Sequence, residues 1–159
     1  MAGRRRRDGE SKAGGPGVSA AEVLGELTTR INTIEEAYEF MLAYASQGLS
    51  SDQETATGRQ AREFLSRAST ALDNFGGFLT GFTEQLGLEP AAAYRAFITV
   101  IDRDARDAQA ALQLVLAQKA ISSQLVDNLN ASIHLRALLT DLFLIDEIVR
   151  PEAATETNV

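Results

Sequence analysis

Apolar residues recur along this chain at alternating steps of four and three. Leu27, Ile31, Ile34, Tyr38, Met41 and Ala45 follow 4-3-4-3-4. Further on, Ala61, Leu65, Ala68, Leu72, Phe75, Leu79, Phe82 and Leu86 follow 4-3-4-3-4-3-4. Residues three and four apart share one face of a helix, so each stretch predicts a helix with one apolar seam. Seams of this spacing suit helices that pack side by side at a shallow angle. Strand-type alternation is absent.

Local signals set the expected ends. The first helix covers about residues 19–47, with Ser19 and Glu22 spaced as a capping box and Gly48 as the stop. The second starts near Ser51, where Ser51 and Glu54 have the same spacing, and ends at Gly87. Gly76, Gly77 and Gly81 fall inside it, each costing about 1 kcal/mol against alanine. Gly77 and Gly81 share a face, which points to a close helix crossing rather than a kink. The third opens at Glu89 and Pro90, with the proline at the first helical position. Its inner face is Phe97, Ile101, Ala105, Ala108, Leu112 and Val115. The fourth carries Leu125, Leu129, Ile133, Leu135, Leu138, Leu142, Ile145 and Val149.

Residues 91–150 contain neither Gly nor Pro, and one helix of that length would extend about 90 Å. A break at residues 119–123, capped by Ser122 or Ser123, makes the four segments similar in length. That favours an all-α antiparallel four-helix bundle, in which each helix covers the others end to end. The alternative is a long helical hairpin that completes its core by dimerising.

Outside the seams the picture changes. Residues 1–17 read as a disordered basic tail, with Arg4, Arg5, Arg6 and Arg7 in a row. Residues 18–150 form the helical domain. Residues 151–159 read as a disordered acidic tail, since Pro151 should stop the last helix. No run reaches the roughly 20 apolar residues of a membrane span. The richest, 138–149, is interrupted by Asp141, Asp146 and Glu147. No apolar segment follows the arginines, so a secretory leader is not expected and the cytoplasm is the expected location. The net charge of −7 disfavours nucleic acid as a specific partner. The absence of cysteine excludes disulfides, thiolate metal sites and cysteine nucleophiles.

Candidate chemistry is sparse. Di-metal bundles use Glu-x-x-His on two helices, but this chain has one histidine, His134, with Ala131 three residues before it. A carboxylate set of Glu35, Glu39, Asp104 and Asp107 is unspecific. No metal or other cofactor is expected. Phosphate-binding and nucleophile-elbow motifs are lacking. Asp104 lies near an inner seam, where a buried carboxyl must be paired or protonated, with Arg62, Arg67 or an arginine of a partner as the candidates. Asp104 and His134 are thus the candidate buried polar site. Its neighbours suggest surface i,i+4 pairs, Asp102 with Arg106 and Arg103 with Asp107. Phe40 and Phe78 fall off the inner seams. With Tyr44 and the four arginines they are the candidate partner-binding residues.

Three functions fit these features. The first is a non-catalytic helical interaction protein, an accessory, assembly or regulatory factor that binds a protein partner through a helix face, with a homodimer as one form. The second is an amphipathic coat on an apolar granule or membrane surface. The third is a ligand- or metal-binding bundle core. An enzyme is not expected.

Overall fold

The computed structural model describes residues 17–156. Among them it contains six helices: α1 (Ala20–Ala45), α2 (Ala56–Ala71), α3 (Phe75–Leu86), α4 (Ala91–Leu116), α5 (Ser123–Ala131) and α6 (Ile133–Glu156). No strand occurs among these residues.

The start of α1 follows the sequence signal. The Ser19 hydroxyl accepts from Glu22 N–H, and the Ser19 N–H donates back to the Glu22 carboxylate. The second helix starts later than its spacing suggests. Ser51 Oγ accepts from Gln53 N–H, Glu54 sits at φ 67°, and Thr55 is the cap, accepting from Gly58 N–H at 2.9 Å. The hydroxyl that caps is the one placed three residues before a free helical N–H in extended backbone, and here that is Thr55.

The long second seam is two helices. Leu72 ends α2, and Asn74, at φ 47°, turns the chain into α3. The seam nevertheless stays buried across the break, from Ala61 through Leu65, Ala68, Leu72, Phe75 and Leu79 to Phe82. The close crossing is at Gly76, not at Gly77 and Gly81. A Cβ at Gly76 would lie 2.4–2.7 Å from the Asp102 side chain on α4, whereas one at Gly81 meets nothing within 4 Å. At Gly77 a Cβ would meet the Asn74 side chain instead. Gly87, at φ 59°, closes α3, and the Leu88 N–H reaches back to Thr83 O.

Pro90 is the cap of α4 rather than its first turn, so Ala91 begins the helix. The expected break after α4 is present, and Ser122 caps α5 by accepting from Leu125 N–H. A second break follows. Ser132 takes extended backbone (φ −62°, ψ 140°) between α5 and α6. It resets the helical phase, so Ile133, expected inside, is 74% exposed, while Leu135 and Leu138 are buried. Pro151 does not end α6, which runs to Glu156.

One apolar core joins all six helices. Leu27, Ile31, Ile34, Leu65, Leu79, Ile101, Leu112 and Leu142 are each at most 2% exposed. α1 packs on α2 and α5, α4 packs on α2 and α3, and α6 packs on α4. Two arginines reach across to finish neighbouring helices. Arg30 of α1 donates to Ala71 O and Asp73 O at the end of α2. Arg62 of α2 donates to Leu116 O, Gln118 O and Lys119 O at the end of α4. Each satisfies carbonyls that a helix end leaves without partners.

Candidate functional site

Three polar or apolar features of the fold are built specifically enough to be weighed as sites. The first is a knot where the α1–α2 and α4–α5 connections meet. Asp52, 5% exposed, accepts from Arg62 Nε at 2.5 Å and from Ile121 N–H at 2.7 Å. The Tyr44 hydroxyl donates to Ile121 O at 2.6 Å, and Ser123 Oγ donates to Tyr44 O while accepting from Leu49 N–H. Burial alone would raise the Asp52 carboxyl. The Ile121 N–H and the Arg62 guanidinium outweigh it and hold the group below the usual range. Burial, then the nearby Asp52 charge, raises the Tyr44 hydroxyl. Every donor here has an internal acceptor, so the knot fastens two connections and leaves nothing for a ligand. Gly58 is part of it, because a Cβ there would sit 1.8 Å from Asp52 O.

The second feature is a pair of carboxyls between α4 and α6. Asp141 is 7% exposed and lies beside Asp104. Burial first, then the neighbouring Asp104 carboxyl, push Asp141 up to about 7. No donor among the described residues reaches Asp141 Oδ2. Asp141 forms one wall of a shallow cleft with Ala131, Ile133, Arg136, Ala137 and Thr140.

The third feature is the outward face of α6. Ile133, Phe143, Leu144 and Ile148 are 74%, 57%, 50% and 45% exposed. They lie along one side of the helix with Ala137 and Thr140 between them, opposite the buried Leu135, Leu138, Leu142, Ile145 and Val149. Apolar residues on both sides of a surface helix are uncommon unless the second side also meets something. On neighbouring helices Leu42 and Val100 are also about half exposed.

The residues singled out from sequence separate accordingly. Asp104 is half-buried, and the side chain beside it is Asp141 rather than an arginine. Arg62 is taken by Asp52, and Arg67 lies beside Glu63. His134 is exposed on the first turn of α6 and belongs to no buried site, because the Ser132 break turns it outward. Tyr44 is 0% exposed and its hydroxyl is spent inside, so it offers no partner surface. Phe40 is half-buried and stacked on Phe64, with ring centres 4.5 Å apart. Phe78 is half-buried beneath the Arg30 guanidinium, 4.5 Å from its ring centre. Arg4, Arg5, Arg6 and Arg7 lie outside the described residues.

Asp102 pairs with Arg106 at 3.0 Å as its spacing suggests. Among the described residues, no three of His, Cys, Asp and Glu converge as a metal site, so Glu35, Glu39, Asp104 and Asp107 do not form one. The residues that sequence reasoning missed are Asp52 and Asp141. Asp141 carried a signal, since it interrupts the most apolar run of the chain. No helix of the described residues is long and apolar enough to cross a membrane. No family model matches the chain, and no curated protein and no solved structure is significantly similar to it.

Proposed function

We propose that this chain is a non-catalytic helical interaction protein, an accessory, assembly or regulatory factor that docks another protein chain on the outward face of α6. The observation that carries the reading is the exposure of Ile133, Phe143, Leu144 and Ile148 on one side of a helix whose other side is already buried. Burial of such side chains on a partner yields roughly 1.5–3 kcal/mol each. Phe40 and Phe78, half-buried, are secondary to this face. The scaffold is an antiparallel four-rod bundle: α1, α2 with α3, α4, and α5 with α6. Its support is that each rod packs on the next and the fourth returns to the first. A cytoplasmic setting belongs to the same proposal, as does an acidic surface that disfavours nucleic acid.

The test is a photo-crosslinking amino acid at position 144 of the full chain, expressed in its native cell, with exposed Gln60 as control. Adducts are expected at 144 and not at 60. No adduct at 144 or at 148 would remove the reading.

A second reading, a bundle-core ligand site, has one observation in its favour: Asp141 Oδ2, buried at the wall of a cleft without a donor among the described residues. Elemental and mass analysis of the native-purified protein decides it.

A further inference from the structure

We infer that the occupant of the α6 face is a second copy of this chain, related by a two-fold axis that pairs the two α6 helices antiparallel about Thr140. This rests on the docking role proposed above and names its partner.

The argument is the order of residues along the face. Exposed or half-exposed positions fall at Ile133, Ala137, Thr140, Leu144 and Ile148. Reversed upon itself about the point between Thr140 and Asp141, this series places Ile133 opposite the partner's Ile148. Ala137 then comes opposite the partner's Leu144, a small residue against a large one, as interdigitation requires. Thr140, also small, falls at the crossing point. An isologous contact of this kind needs a surface that complements itself on reversal.

Charge follows the same order. The start of the face carries the exposed cation Arg136. The far end carries exposed Glu147, while Asp146 lies on the flank toward Glu35 of α1, whose carboxyl is raised by burial and then by the Asp146 charge. Arg150, the cation at that end, is bound to Asp146 at 2.5 Å, which leaves Glu147 free of it. Antiparallel pairing sets Arg136 of each chain against Glu147 of the other. The Arg136 side chain leans toward its own helix start, the direction in which the partner's Glu147 lies. Parallel pairing would bring like charges together at both ends. The helix macrodipoles favour the same arrangement.

From Ile133 to Ile148 the seam is about 22 Å long, short for a stable interface. The association is therefore expected on the order of micromolar in Kd. Sedimentation equilibrium of the full chain from 1 to 200 µM (roughly the range that brackets such a Kd) should show a monomer–dimer equilibrium. Leu144→Asp should weaken it at least about tenfold while leaving the circular-dichroism melt intact. Arg136→Glu should weaken it, and adding Glu147→Arg should restore it. The chain has no cysteine, so Thr140→Cys alone should form a disulfide-linked dimer on mild oxidation and Ile133→Cys alone should not. Efficient linkage at both positions would indicate parallel pairing and overturn the inference. So would a dimer untouched by Leu144→Asp, or a monomer across the whole range. In the last case the crosslink at position 144 separates the two claims. An adduct with a different chain keeps the docking role and discards self-pairing; no adduct discards both.

Discussion

Single atoms decide several outcomes in this fold. A Cβ at Gly58 would enter the Asp52 carbonyl, and backbone cannot retreat as a side-chain tip can. Gly58→Ala is therefore expected to destabilise by more than about 3 kcal/mol. Gly81→Ala, on an open face inside α3, should stabilise by roughly 0.5–1 kcal/mol. Chemical denaturation of the two variants checks the pair, and equal effects would contradict the close approach of Gly58 to the Asp52 backbone. Asn130 is 6% exposed, and neither of its amide atoms has a hydrogen-bond partner among the described residues. Asn130→Leu removes an unpaired polar group, so a gain of about 1–2 kcal/mol is expected. A loss in the same assay would show that the amide has a partner in solution.

Asp52 and Asp141 pull stability in opposite directions with pH. The Asp52 carboxyl is held down in the fold, so its contribution is present above about pH 4, the unfolded value, and is lost as pH falls through the lower folded one. The Asp141 carboxyl is held up, so its contribution is complete below about pH 4 and is lost as pH rises through about 7. Thermal melts should show a lower Tm at pH 8 than at pH 5.5. Asp141→Asn should flatten that slope, because the amide stays neutral throughout. A variant with an unchanged slope would place the titration elsewhere.

At the scale of elements, the seams were legible and the breaks between them were not. Heptad spacing identifies the face of α1, α2, α3 and α4 because burial selects most residues on it, from Leu27 to Val115, while Tyr38, Ala45, Leu86 and Phe97 are half-buried and Ala37, Tyr44 and Ile98 take inner positions beside three of them. Ser19 was readable because a capping box uses only four consecutive residues. The α2–α3 break at Asn74 left no trace in the apolar spacing, since Leu72 and Phe75 stay buried on either side of it. Ser132 was harder still. It is one serine among many, and its extended backbone is set by how α5 and α6 pack. Missing it put Ile133 inside and hid the outward face of α6. Of the candidate site, Asp104 could be singled out near an inner seam and Asp141 left a trace by interrupting the most apolar run, whereas Asp52 owes its role to a chain segment far away in sequence. At this scale Ser132→Ala is expected to lower stability by about 1 kcal/mol, since Ser132 Oγ accepts from Leu135 N–H at the start of α6. An unchanged denaturation midpoint would show that packing alone holds the bend.

For the whole molecule, one continuous core under all six helices implies a single cooperative unfolding transition. It also argues against a chain that opens to lie flat on an apolar surface. Calorimetric and van't Hoff enthalpies should agree for dilute protein, and two separated transitions would divide the molecule at the Asn74 or Ser132 break.

The fastening of residues 49–53 to residues 119–123 around Asp52 makes the two ends of the bundle unequal hosts for foreign sequence. A tag or reporter spliced into either of those connections would have to pull Arg62 off the carbonyls that terminate α4, and the graft would unravel its own foundation. The short turn at Gly87 and Leu88 bears no such duty, and it is the place where this scaffold can be opened and extended.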